Sequence, residues 1–296
     1  MRVISTYQPA KPNPLRRKKR RGRRFLILLL ILLAAAGIFW YRSDKVASPS
    51  PSANPEEQVA TPPAPSGPDK ELEAIFTNWA AAHPERKWAV VVRELEGGNR
   101  YASYRPAEVY EAASIYKLFL TYLLFKEINV DQVDSVAVSS QGRSWSAGYC
   151  LDLALRVSDN PCAWAIGNYT GWSSSNPVLA SAGFSATALD ITAGHRSSAE
   201  DTADLLEGMY KATIYTADER DYLLNILKKQ TYDQGIKAAC TNCVVANKTG
   251  DLPGVKHDAG IVWHGDKAYL VVIFSDGATY SQIAELASQI HSYISK

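Results

Sequence analysis

With 296 residues, 46% hydrophobic and 21% charged, the chain has a globular composition and the length for one large domain or two small ones. The formal net charge of +2 hides an asymmetry: residues 1–42 hold 11 Lys and Arg and no acid, leaving 21 basic against 30 acidic residues, a net of −9, for residues 43–296. The basic charge belongs to the tail and the folded part is acidic, which argues against a nucleic-acid partner.

Residues 1–15 are polar and proline-containing, and residues 16–24 read RRKKRRGRR. Residues 25–41 follow as an unbroken apolar run of 17, near the lower limit for a membrane-spanning helix. Positive charge is retained on the cytoplasmic side. The expectation is therefore a cytoplasmic basic tail (1–24), a single-pass signal-anchor helix (25–41) and an extracytoplasmic remainder. Trp40 and Tyr41 suit the far interface. A cleaved signal peptide is the competing reading, with Ala34-Ala35-Ala36 as the small-residue site. The apolar run continues past that site, which favours an uncleaved anchor at the cell membrane. Residues 42–68 carry prolines at 49, 51, 55, 62, 63, 65 and 68. They read as an extended linker, whose proline-rich part, residues 47–68, would span roughly 70 Å at about 3.1 Å per residue in polyproline form.

The folded domain is expected over residues 69–296. Leu72, Ile75, Phe76 and Trp79 recur at helical spacing before His83-Pro84. Residues 88–95 are β-rich, and Gly97-Gly98-Asn99 turns them into 100–104, a hairpin. Residues 111–120 then place Ser114 three positions before Lys117, at the start of an apolar helical run. Residues three apart share a helix face, so the amine can reach the hydroxyl. Burial disfavours the charged amine, and a neutral amine beside a hydroxyl is a base beside a nucleophile. Further helices are expected around 151–168, 199–212 and 217–229. Strands are expected at 244–248, 259–264 and 268–275, and a final helix at 281–294. Strands segregate from helices, which predicts an α+β fold with an antiparallel sheet of five strands.

Four cysteines are present: Cys150, Cys162, Cys240 and Cys243. The even count suits two disulfides outside the cytoplasm. Cys240-Thr241-Asn242-Cys243 also has the spacing of half a zinc site or a redox motif, although no second pair accompanies it in sequence.

Two more motifs follow Ser114-x-x-Lys117. Ser158-Asp159-Asn160 opens a helix near Pro161, and Lys248-Thr249-Gly250 ends a strand. The three motifs, in this order, resemble those of class A β-lactamases and penicillin-binding serine hydrolases. The resemblance covers about residues 69–296. It implies a sheet flanked by the first and last helices, with an all-helical subdomain beside it. It implies Ser114 as nucleophile, Lys117 as its base and Ser158 as proton donor to the leaving nitrogen. Asn160 would hold the substrate amide and Lys117. Lys248 and Thr249 would bind a substrate carboxylate by charge-assisted hydrogen bonds. Gly250 would let the strand lie close to the ligand. The backbone amides of Ser114 and Asp251 would form the oxyanion hole, and Asp159 would be structural. Bridges Cys150–Cys162 and Cys240–Cys243 would brace two of the motifs. The implied substrate is a β-lactam or a D-Ala-D-Ala-type peptide, and the implied enzyme is a monomer needing no cofactor or metal.

One departure stands out. Class A enzymes release the acyl group with a glutamate carried after the Ser-Asp-Asn helix, but residues 161–199 contain no glutamate. Asp190 is their only acid, and the loop reads as shortened. Glu200, at a helix start, reads as a dipole partner. His195 is the remaining candidate in that stretch. Acylation is therefore expected and rapid release is in doubt, which keeps open a D,D-peptidase or a slowly releasing β-lactam-binding protein.

Overall fold

The computed structural model describes residues 67–96 and 98–296. The basic tail, the apolar run and the linker up to residue 66 lie outside the described residues. Among the described residues no helix is long and apolar enough to cross a membrane.

Helix α1 (Lys70–Ala82) is capped by Asp69, which accepts from the Glu71 and Leu72 amides, and it buries Leu72, Phe76 and Trp79. Strands β1 (Lys87–Glu96) and β2 (Tyr101–Tyr104) form the expected hairpin. A short strand β3 (Val109–Glu111) leads into a single 3₁₀ turn, Ala113–Ile115, and then helix α2 (Tyr116–Glu127). Tyr116 through Leu124 are all buried, so α2 is a core helix that meets solvent only in its last turn. A hairpin of β4 (Ala137–Ser140) and β5 (Arg143–Ser146) precedes helices α3 (Ala147–Arg156), α4 (Asn160–Thr170) and α5 (Asn176–Ser181). Strand β6 (Arg196–Ser198) pairs with β3. Helices α6 (Ala199–Tyr210) and α7 (Ala217–Leu227) follow. Strands β7 (Val244–Leu252), β8 (Val255–His264) and β9 (Lys267–Asp276) and helix α8 (Tyr280–Ile294) complete the chain.

The main sheet has five strands in the order β2-β1-β9-β8-β7, antiparallel throughout. It divides two cores. Ala89 and Val91 of β1 pack toward α2 to α7, whereas Trp88, Val90 and Val92 pack toward α1 and α8. Leu270, Val272 and Phe274 of β9 alternate with Tyr269, Val271 and Ile273 in the same way. A strand buried on both faces reads as a continuous apolar run, which is why these strands were legible. Fully burying each such side chain contributes on the order of 2 kcal/mol. The α+β class, the five-stranded sheet and the flanking terminal helices are as expected.

Three local expectations need correction. The single helix at 151–168 is two helices, because Ser158 takes a left-handed φ of 59° and Asp159 starts a new cap by accepting from the Cys162 amide at 2.8 Å. The strand holding Lys248-Thr249-Gly250 does not end there. It runs on to Leu252, and the chain reverses at Pro253-Gly254, where Gly254 has φ 81°. The subdomain expected to be all-helical also holds two short β pairs, β3–β6 and β4–β5, whose strands are only three or four residues long.

Candidate active site

Ser114 is the middle residue of the 3₁₀ turn that opens α2. That turn lies against β7. A Cβ placed on Gly250 would come within 3.1 Å of the Ala113 Cβ and the Ile115 Cγ1, and within 3.2 Å of the Ala112 carbonyl. The glycine thus admits the turn that carries Ser114, where a close approach to ligand had been expected. The buried His257 of β8 pins the same segment. Its Nδ1 accepts from the Ser275 amide at 3.2 Å, so its Nε2 carries the proton and donates to the Glu111 carbonyl at 2.8 Å. Burial holds His257 down to about 4, so it stays neutral in this role.

Lys117 is the second residue of α2 and is 1% exposed. Its Nζ donates to the Ser158 carbonyl at 2.5 Å, to Asn160 Oδ1 at 2.8 Å and to Ser158 Oγ at 3.1 Å. Burial lowers this lysine to about 8, against a smaller upward pull from Asp159. Lys248 is 0% exposed, and its Nζ donates to Ser158 Oγ at 3.0 Å and to the Thr249 carbonyl at 2.8 Å. Burial pushes Lys248 well down, the Lys117 charge adds to this, and Asp258 opposes both. Asp258 is itself raised to about 6 by burial, although the Asn247 side chain and the Ile236 amide both donate to it. The Ser158 hydroxyl therefore sits between two amines. Accepting from both, it keeps its own proton free to give.

Three helices and a strand converge to make this arrangement. The left-handed backbone at Ser158 turns its carbonyl and hydroxyl toward Lys117. Disulfide Cys150–Cys162 ties α3 to α4 across that turn, with the Cα atoms 4.6 Å apart, as expected. Asp159 is the cap of α4 and hence structural, also as expected. Cys240 and Cys243 form the second pair, with Cα atoms 5.6 Å apart, just before β7.

Ser114, Ser158, Asn160, Thr249 and Asp251 line one cleft, with Tyr232 and Tyr280 beside them. The Tyr280 hydroxyl donates to the Gly250 carbonyl at 3.0 Å. Lys117 and Lys248 are not on its wall but stand behind Ser158. The Asp251 carboxylate turns away to Lys256 Nζ at 2.6 Å. On the other side of Ser114, a cavity of about 240 Å³ is lined by Glu111, Ser114, Asn160, Trp164, Gly194 and His195. It adjoins an aromatic cavity of about 460 Å³ walled by Trp164, Trp172, Ile191 and His195.

The three residues considered for water activation are placed differently from one another. Asp190 Oδ1 accepts from the Thr192 and Ala193 amides at 2.7 and 2.9 Å, which lower its carboxyl and hold it in a turn on the aromatic cavity. Glu200 is in the first turn of α6, its amide donating to the Pro106 carbonyl, beside Val91 and Tyr101 and away from Ser114. His195 does border the Ser114 cavity, stacked on Trp172 at 5.2 Å and 4.0 Å from the Tyr116 ring. Its Nδ1 accepts from the Asp190 amide at 3.1 Å, so in the neutral ring Nε2 carries the proton and is a donor, not a base. Two acidic residues border the cavity with Ser114: Asp251, whose carboxylate pairs with Lys256, and Glu111, with no ion pair among the described residues. Its position three residues before Ser114 placed it in view, but nothing in the sequence showed that β3 turns it toward Gly194.

A buried, readily neutralised lysine and a bridging serine beside an accessible hydroxyl are the parts of serine acyl transfer. Comparison with solved structures finds the same fold. PBP-A matches at a TM-score of 0.69 and 19% identity, over 78% of this chain and 98% of that one. A mutant of PBP-A, solved as its acyl-enzyme complex with penicillin G, matches at 0.68 and 19%, over the same shares. The class A β-lactamase from Clostridium kluyveri matches at 0.68 and 20% identity, over 77% of this chain and 100% of that one. Among curated protein sequences none matches the chain. The Beta-lactamase enzyme family profile matches residues 68–137 and 134–294, nearly the whole of the described fold, and the chain belongs to that family.

Proposed function

We propose that the protein is a serine hydrolase that takes an acyl group from β-lactams onto Ser114 and hydrolyses the adduct. The observation that carries this reading is Lys117: burial brings it to about 8, with Ser158 and Asn160 fixing its amine behind the cleft that Ser114 lines. As a free amine it has a lone pair for the Ser114 proton. The Ser158 hydroxyl, fed by two amines, returns a proton to the leaving nitrogen. Thr249, backed by Lys248, receives the substrate carboxylate, and the amides of Ser114 and Asp251 receive the developing oxyanion. The PBP-A mutant's penicillin G adduct supports the substrate class.

A second reading is a D,D-peptidase or a slowly releasing β-lactam-binding protein. The absence of glutamate in residues 161–199 and the diversion of Asp190 into a turn favour it. In both readings residues 25–41 anchor the chain in the cell membrane and the catalytic domain lies outside.

Time-resolved mass spectrometry with a β-lactam tests the proposal. The expected result is a single adduct that Ser114→Ala abolishes and that disappears as product accumulates. A stable adduct selects the second reading, and an adduct that persists in Ser114→Ala removes Ser114 as nucleophile.

A further inference from the structure

A separate cluster lies at the far end of the sheet, outside the cleft. Cys240 follows the 3₁₀ turn Ile236–Ala239, Cys243 directly precedes β7, and His291 stands in the last turn of α8. The ligand atoms of all three lie within 4.8 Å of one another. The Cys-x-x-Cys spacing showed only half of such a set, and the third member is 48 residues downstream.

The imidazole is oriented by its neighbours. The hydroxyl of Tyr269, a residue 2% exposed, is 2.7 Å from His291 Nδ1. The Ser295 hydroxyl is nearby but donates to the His291 carbonyl at 2.7 Å. That hydroxyl also lies 3.3 Å from Nε2, and Nε2 is 3.3 Å from Cys240 Sγ and 3.8 Å from Cys243 Sγ, with Cys240 Sγ 3.8 Å from Nδ1 as well. A tetrahedral zinc with its usual bond lengths would hold such a nitrogen and sulfur about 3.5 Å apart. Ligating histidines are fixed by a hydrogen bond to the ring nitrogen that does not meet the metal, and the Tyr269 hydroxyl on Nδ1 has that place here.

We infer that Cys240, Cys243 and His291 form a redox-gated site for a thiophilic divalent cation of the zinc type, with water completing a tetrahedron. In the structure the sulfurs are joined, and a disulfide offers no thiolate ligand. A phosphine reductant would donate two electrons, take oxygen from water and leave two thiols. The cation would then displace both thiol protons and bind two thiolates and Nε2. Bound, it would tie α8 to the start of β7, the strand that carries Lys248 and Thr249. The inference does not depend on the chemistry at Ser114.

The test uses the full chain, reduced with a phosphine and titrated with Co²⁺. The expected result is one Co²⁺ per chain, with a thiolate-to-cobalt charge-transfer band that Zn²⁺ abolishes. Zn²⁺ should also raise the melting temperature of the reduced chain and leave that of the oxidised chain unchanged. His291→Ala should weaken binding at least about tenfold. A Cys240→Ser/Cys243→Ser variant, which keeps Cys150 and Cys162, should lose the band, with circular dichroism confirming that both variants are folded. The inference is overturned if that double variant binds Co²⁺ as the wild type does. It is also overturned if His291→Ala binds undiminished, or if the reduced wild type, with its thiols titrated as free, shows no band.

Discussion

Acylation should follow the titration of Lys117. Burial brings this amine from 10.5 to about 8. At pH 7 about one lysine in ten is then neutral, against about three in ten thousand for an ordinary lysine, a gain of roughly 300-fold in the basic form. The acylation rate constant should rise about tenfold between pH 6 and 7 and level off above about pH 9. Lys117→Arg keeps charge and donors but stays protonated throughout this range, so acylation should fall by about a hundredfold or more. Stability has the opposite origin. The unfolded chain holds this proton up to about pH 10.4 and the folded chain only to about 8, so the unfolded state binds more protons between those values and stability rises with pH across that window. Lys117→Met removes a burden on the order of 3 kcal/mol. It also removes three hydrogen bonds worth about 1 kcal/mol each, so net stability should change little. Rapid-quench mass spectrometry from pH 6 to 9 measures the first effect and chemical denaturation the second. A flat acylation profile, or Lys117→Arg within about tenfold of wild type, would refute the assignment of Lys117 as the base.

Three further outcomes follow from the geometry. Glu111→Gln should leave acylation unchanged and slow release of the adduct by about a hundredfold if Glu111 activates the water; equal release rates in pre-steady-state traces would exclude it. Ser158→Gly and Ser158→Ala both remove the hydroxyl between Lys117 and Lys248 and should lose acylation alike, by about a hundredfold. The glycine form, unstrained at φ 59°, should be about 1 kcal/mol the more stable by urea denaturation; a much more active glycine form would show that the turn and not the hydroxyl matters. Gly250→Val forces side-chain atoms into Ala113 and Ile115, and should cost about 1–3 kcal/mol in denaturation while slowing acylation about a hundredfold through the displaced Ser114 turn. Unchanged acylation in a destabilised variant would mean that the turn does not move.

The sequence by itself determined the class of the fold and singled out residues that the fold gathers in and behind one cleft. Apolar runs long enough for buried strands and a core helix, with strands segregated from helices, specified the five-stranded sheet. Three short motifs in order named Ser114, Lys117, Ser158, Asn160, Lys248 and Thr249. Local chemistry carries such signals: alternating burial is written into β1 and β9, and Ser-x-x-Lys spacing reflects one turn of helix. What only the tertiary structure decided rests on contacts between distant segments. The left-handed turn at Ser158 exists because α3 and α4 are held apart there by a cap and together by a disulfide. The lowered lysines are a product of burial, which no spacing encodes. Gly250 serves the Ser114 turn across the sheet, and Glu111 enters the cavity through the pairing of β3 with β6. His195 read as a possible base but is a donor, because a backbone amide five residues away occupies its Nδ1. His291 joins Cys240 and Cys243 only because α8 packs against the turn Ile236–Ala239 that leads into them. Side chains distant in sequence become one site through packing, and packing is decided by the whole core.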